Sequence, residues 1–308
     1  MPTASNSTSA MNHHLQFATA PTEREARTVL FGSNTRGAGF SESARGKAGE
    51  AGEPRSLFTA DFVRAADNES PALTEQLEDG ASLFDAGNLS LEGLSLEAQV
   101  AAVRERFLGL LRRGQRPVCL GGDHLIKYAA LSAVSAVHDD CGVIYLDAHP
   151  DCAQDEALYF GSILHHAWRL PHIRPERTSL LALRQVNLRE REGLRHWRPG
   201  IIPALDFCER GLPAVVESLV AQLGPVKRVY VSVDLDALAP HEVPAVEAPY
   251  PGGPTLREVL VVLRALASRY ELVGMDVSEF IPEFDPLKLT ALATARLVKE
   301  FARLPPPR

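Results

Sequence analysis

Three short stretches carry side chains that could do chemistry together. Gly121-Gly122-Asp123-His124 ends in an imidazole, and Asp147-Ala148-His149-Pro150-Asp151 spaces three polar groups at every second residue. Ser232-Val233-Asp234-Leu235-Asp236 sets two carboxylates two residues apart. In an extended segment residues i, i+2 and i+4 point the same way, so each set would face one spot. Clustered carboxylates repel and resist ionising together unless a cation compensates. His124, Asp147, His149, Asp151, Asp234 and Asp236 are therefore candidate metal ligands. Six are too many for one tetrahedral zinc, and suit two five- or six-coordinate ions with bridging carboxylates. Mixed imidazole and carboxylate donors favour manganese, with cobalt, nickel and iron as other fits. Taken singly each stretch has a plainer reading, such as a tight turn with Asp123 capping a helix; all three in this order do not.

The elements that must position these groups alternate along the chain. Apolar runs at Arg27–Gly32, Ser82–Asp85, Pro117–Leu120, Gly142–Leu146, Ser179–Leu183, Ile201–Ala204, Arg228–Val233 and Leu272–Met275 predict eight strands. Gly142–Leu146 is continuously apolar, as expected of a strand covered on both faces of a parallel sheet. Leu96, Val100, Val103, Phe107 and Leu110 share one helical face, with Ser95 to cap that helix and Gly114 to end it. Further helices are predicted over Pro213–Leu223, Leu256–Arg269 and about Leu287–Arg303. Such alternation predicts one α/β domain over residues 26–308 with a largely parallel sheet. The candidate ligands fall just past strand ends, where open parallel sheets bind ligands; three adjacent strand ends would supply them, and Asp276 and Glu279 would follow a fourth.

Composition excludes several classes. The 308 residues are 45% hydrophobic and 23% charged, enough to bury a core without disulfides. A net charge of −7 with no long basic cluster argues against a nucleic-acid binder. No apolar run approaches the length of a membrane span. The four cysteines lack metal-knuckle spacing and fit reduced thiols in a cytoplasmic protein. Residues 1–25 read as a loose polar tail with His13 and His14 exposed, and Gly39–Pro54 as a long loop. No GxGxxG follows a strand, which argues against a nucleotide-dependent oxidoreductase.

Leu120–His124, Asp147–Asp151 and Ser232–Leu238 resemble the three metal motifs of the ureohydrolase family, which includes arginase, agmatinase, guanidinobutyrase and formimidoylglutamase. Pro249-Tyr250-Pro251-Gly252-Gly253 and Gly274–Pro282 are similar to it as well, and Asp85–Asn88 and Leu183–Asn187 to its weaker landmarks. The resemblance implies a three-layer α/β/α fold and two manganese ions per chain. One ion would be held by His124, Asp147, Asp151 and Asp234, the other by Asp147, His149, Asp234 and Asp236, with Asp147 and Asp234 bridging. The ions would lower the pKa of a shared water, and the hydroxide would attack a guanidinium or formimidoyl carbon. Glu279 would pair with the cationic substrate. Urea or formamide would leave with an amine. The resemblance also implies a homo-oligomer, a trimer or hexamer, with a dimer as the smaller alternative. A non-catalytic member kept for binding or assembly is the competing reading, and a complete ligand set argues against it.

Departures from the family pattern bear on the substrate. The family's proton-shuttle His-Gly is missing, and Gly161–Arg169 offers His165 or His166 instead, with His165 preferred from its distance to His149. Ala239 stands where Asp is usual, and Pro244–Pro249 replaces a Gly- and Thr-rich turn. Cys152, Ala153 and Gln154 follow Asp151, where polar groups for an α-amino acid would be expected. The substrate read from these residues is something other than plain arginine.

Overall fold

The computed structural model describes residues 20–33, 35, 59–68 and 82–305. Eight strands form one sheet: β1 (Thr28–Ser33), β2 (Leu83–Asn88), β3 (Arg116–Gly121), β4 (Cys141–Leu146), β5 (Thr178–Leu183), β6 (Gly200–Pro203), β7 (Arg228–Asp234) and β8 (Glu271–Ser278). Their order across the sheet is β2-β1-β3-β8-β7-β4-β5-β6, and each neighbouring pair is parallel. The predicted strands are all present. β7 and β8 run further than their apolar cores, through Asp234 and Ser278, because those two residues pair with each other across the ladder.

Alternation along the strands assigns the two faces of the sheet. Leu30, Ile144 and Leu146 join a core with α1 (Thr59–Asn68), α7 (Gly211–Leu223), α8 (Leu256–Ala267) and α9 (Leu289–Arg303). Val29, Phe31, Val143 and Tyr145 face a second core with α2 (Leu96–Arg112), α3 (Leu125–Val137) and α4 (Ile163–Ala167). The result is the expected α/β/α sandwich. The remaining helices, α5 (Leu188–Trp197) and α6 (Asp206–Glu209), flank β5 and β6. Ser95 caps α2 by accepting from the Ala98 amide, and Gly114 follows its end with a left-handed φ of 71°. Among the described residues no helix is long and apolar enough to cross a membrane, and all four cysteines are free thiols.

The end of the expected tail is anchored. The Ala20 amide donates to the Leu83 carbonyl, and the Glu23 carboxylate pairs with Arg106 and Arg113 of and beside α2. His13, His14 and the Gly39–Pro54 loop lie outside the described residues.

Candidate metal centre

The candidate ligands gather where β3, β4 and β7 end. These strands are not adjacent as a trio: β8 lies between β3 and β7, so the cluster spans four neighbouring strand ends. β3 runs into Gly121-Gly122, and a Cβ on Gly122 would stand 2.5 Å from the Thr35 carbonyl oxygen, so only glycine allows that approach. Asp123 accepts from the Leu125 amide at the start of α3, which turns the buried His124 ring toward the neighbouring strand ends.

Turns bring the other carboxylates together, where extended alternation was expected. β4 stops at Leu146, and Asp147 Oδ1 folds back to accept from the His149 amide at 2.8 Å. Asp151 has φ +42°, and its Oδ2 accepts from Tyr145 Oη at 2.6 Å. Asp234 ends β7 and caps the short turn Leu235–Ala237 by accepting from the Asp236 amide at 2.8 Å. Asp236 Oδ1 accepts in turn from the Ala148 amide, tying two motifs together. Short polar side chains bond their own backbone two residues on more readily than they alternate outside a ladder.

Two triads result, each with one ligand atom per residue within 4.8 Å of the others: His124, Asp147 and Asp234, and Asp147, His149 and Asp236. His124 Nε2 touches Asp234 Oδ2. Its Nδ1 comes within 2.7 Å of Asp151 Oδ2 but outside hydrogen-bonding geometry. Ligand-type atoms crowded this closely fit a shared cation. His149 Nδ1 lies 2.9 Å from Asp236 Oδ2 and 3.5 Å from Asp147 Oδ1. Its Nε2 donates to Gln185 Oε1 at 2.9 Å, which leaves Nδ1 to face the carboxylates.

The electrostatics are those of an acid-rich hole. Burial pushes the Asp236 carboxyl well above the usual range, and the charges of Asp234 and Asp147 push it further. Burial alone would raise Asp151 too, but the His124 charge holds it below its ordinary value. Burial would lower His149, but its bonds to Asp147 and Asp236 push it up to about 12. His124 is likewise raised, by Asp234, Asp151 and Glu279 against burial and Lys127.

Glu279 joins the cluster. It follows β8 with φ +69°, its Oε1 accepts from the His124 amide at 3.1 Å, and it stands 3.8 Å from His124 Nε2. Burial raises its carboxyl well above the ordinary value, with Asp234, Asp123 and Glu247 adding to the rise. His165 and His166 sit apart, on α4. His165 Nδ1 accepts from Trp197 Nε1 at 3.2 Å, and its ring meets Trp197 and His166 edge-on. His166 packs edge-on to Tyr128, and its buried Nε2 has no hydrogen-bond partner. Among the described residues neither imidazole bonds to any of the six candidate ligands.

Two contributors escape the sequence motifs. Gln185 lies within the Leu183–Asn187 landmark, but nothing in its type announces a contact with His149. Lys127 is fully buried, with Nζ 3.0 Å from Asp147 Oδ2 and 3.2 Å from Asp234 Oδ2. It stands three residues after His124 and so on the same helical face, a spacing that could have revealed it. Burial opposes its charge, but Asp147 and Asp234 hold it protonated.

A three-layer sandwich with buried carboxylates and imidazoles at its strand ends defines a class, α/β/α proteins whose strand ends could hold metal ions. The family model "Arginase family" matches residues 35–303. Proclavaminate amidinohydrolase of Streptomyces clavuligerus is 31% identical over 231 residues, covering 71% of this chain and 72% of that protein. N(1)-aminopropylagmatine ureohydrolase of Thermus thermophilus is 34% identical over 216 residues, covering 67% of this chain and 70% of that protein. Among solved structures, formimidoylglutamase from Bacillus subtilis superposes with a TM-score of 0.77 at 18% identity, covering 98% of this chain and 95% of that one. The chain belongs to the arginase family. It is a metal-dependent hydrolase of that family, acting on linear amidines.

Proposed function

We propose that this chain is a manganese-dependent, cytoplasmic, homo-oligomeric amidinohydrolase that cleaves a guanidino compound other than arginine to urea and an amine. The observation that carries the reading is the convergence of His124, Asp147, Asp234, His149 and Asp236 into two triads sharing Asp147. His124, Asp147, Asp151 and Asp234 would hold one ion, and Asp147, His149, Asp234 and Asp236 the other. When bound, such ions supply Lewis acidity that brings the pKa of water near neutrality.

The protein groups do the rest. Glu279 sets a carboxyl beside the cluster, where a guanidinium pairs with it better than solvent does, because the site is buried. Orientation by Glu279 presents the guanidinium carbon to the centre. Proton transfer to the departing amine falls to His165 or His166. Trp197 already occupies His165 Nδ1, so His166, with its unpartnered buried Nε2, is the better carrier of the two. The wall after Asp151 supports a substrate without an α-amino acid head. Cys152 and Ala153 are buried, the Cys152 thiol is turned to the Glu190 carbonyl, and the Ala153 amide is spent on Gly161. That leaves little to hold a carboxylate and an ammonium. Relatives named for proclavaminate and aminopropylagmatine fit the same class of elaborated guanidines.

Urea release across a panel of guanidino compounds, with manganese and with chelator, tests the reading. Metal-dependent urea from a guanidine other than arginine is the expected result. Formamide from a formimidoyl compound, or equal turnover in rigorously metal-free protein, would overturn it.

A further inference from the structure

Lys127 is not needed by the chemistry above, yet its ammonium stands inside the ligand set. The two oxygens it meets, Asp147 Oδ2 and Asp234 Oδ2, belong to the triad completed by His124. Asp234 Oδ2 also touches His124 Nε2, and Asp147 Oδ2 lies 4.0 Å from it, so Nζ competes for the faces an ion would use. The other triad presents different atoms, Asp147 Oδ1, Asp236 Oδ2 and His149 Nδ1. No ion pair joins Lys127 to Asp236 among the described residues. Nor is the ammonium a stray surface group swung inward: the side chain has no exposure, and Nζ lies 4.5 Å from the centre of the Tyr145 ring, itself fully buried.

We infer that Lys127 is a resident cation of the His124 position, making the two ion positions unequal: the His149 position fills first, and the His124 position takes an ion only as Nζ gives way. The inference rests on the proposed metal centre and deepens it. Charge supports it as well as geometry. Asp147, Asp151, Asp234 and Asp236 bring four carboxylates to the two positions and Glu279 a fifth beside them, and Lys127 already offsets one of these charges. Each ion that binds therefore meets one negative charge fewer than it would without the lysine. A like charge about 4 Å from a second ion weakens its binding on the order of 10²-fold or more, even with strong screening.

The test is a stepwise titration of chelator-treated full-length protein with Mn²⁺. Bound ions are counted by elemental analysis and by the electron paramagnetic resonance of free and paired Mn²⁺. The parent is expected to take one ion tightly and a second about 10²-fold more weakly. Lys127→Met keeps an unbranched stem against Tyr145 without the charge, and should bring the two affinities to within about tenfold. Lys127→Gln, which keeps a polar head, serves if the Met variant fails to fold, and carries the same expectation. Two equally tight ions in the parent would overturn the inference, as would an undiminished gap in a folded variant. If neither protein binds Mn²⁺, the metal reading itself falls with it.

Discussion

Two buried charge clusters in this molecule are built on opposite plans. At the β2 edge of the sheet, Arg64 of α1 grips Asp85 through Nε and Nη2, at 2.9 and 2.8 Å, and reaches Asp61 and Asn88 through Nη1. Lys299 of α9 pairs with Asp67 nearby. Each of those buried acids meets a full cation from the protein. At the β3-β8-β7-β4 end, four aspartates and Glu279 share one lysine and two imidazoles. A closed set of charges holds a fold together; an open set with acid in excess needs a cation from outside. That difference separates a structural cluster from a functional one more sharply than burial, which the two share.

Substitutions should therefore break the clusters in different currencies. The largest effect is expected at Asp234, which the proposed ligand sets assign to both ions. Asp234→Ala should lose both ions and at least several kcal/mol of transition-state stabilisation, on the order of 10³-fold in rate. Asp236→Ala should lose hydrolysis while retaining part of the metal. Freed of their cation, neighbouring carboxylates can protonate, so the helical circular dichroism should stay native-like. Metal counts on the two variants decide it, and two tightly held ions in Asp234→Ala would refute the bridging role.

Arg64→Met is the counterpart at the edge. It strands Asp85, whose side chain is fully buried, and should destabilise the fold by about 3–5 kcal/mol. Bound manganese and turnover per folded molecule should not change. Denaturant unfolding of metal-loaded protein measures the first effect. A variant as stable as its parent would show that the edge cluster is not held by its charge balance.

How far these plans were legible in the sequence follows from what each depends on. The fold was legible because buried parallel strands are written as apolar runs such as Gly142–Leu146, with amphipathic helices between them. The candidate ligands, five of which the structure gathers into the two triads, were legible by type and spacing. Their neighbours were not: β8 enters between β3 and β7 through long-range pairing that no local pattern encodes. The convergence of Asp147 with His149 depends on a side chain folding back on its own backbone, which spacing alone does not separate from extended alternation. Lys127 was hidden in an apolar helix, where a lone lysine reads as a solvent-facing residue. Arg64 and Asp85 meet across 21 residues, and the Asp85–Asn88 landmark does not mark Asp85 as an arginine's partner.

The histidines sharpen the contrast within the catalytic half. If His166 carries the proton, His166→Ala should lower turnover on the order of 10²–10⁴-fold with both ions retained. His165→Ala should act mainly through packing, since its ring is wedged between Trp197 and His166. Its signature would be a lower melting temperature with turnover nearer the parent's. The reverse pattern would assign the transfer to His165, and near-native turnover in both would move it to water or another group.

Open and closed clusters should also differ in their response to pH. His149, pushed up to about 12, and His124, also raised, must each lose a proton to ligate. Their protons are held in the folded, metal-free state and compete with the ion. Manganese affinity should thus fall as pH falls, on the order of tenfold per pH unit for each proton displaced. Arg64, whose charge Asp85 and Asp61 reinforce against burial, has no such competition. Calorimetric titration with manganese between about pH 6 and pH 8 in buffers of different ionisation enthalpy counts the protons released. A flat affinity with no proton release would contradict the ligand assignment of both histidines.

The smallest expected effect probes the second layer of the open cluster. Gln185 Oε1 accepts from His149 Nε2 and so fixes the tautomer that turns Nδ1 toward Asp147 and Asp236. Gln185→Ala leaves every candidate ligand in place but frees the ring to rotate and to take the other tautomer. Affinity at the His149 position should fall about 10–100-fold, while the His124 position, which Gln185 does not touch, should change far less. Gln185→Glu separates orientation from simple contact, because a carboxylate accepts the same bond and makes the imidazole a stronger donor to metal. It should restore or exceed the parent's affinity at that position. If the Ala and Glu variants bind manganese alike, His149 is held by its carboxylate neighbours alone and Gln185 is only packing.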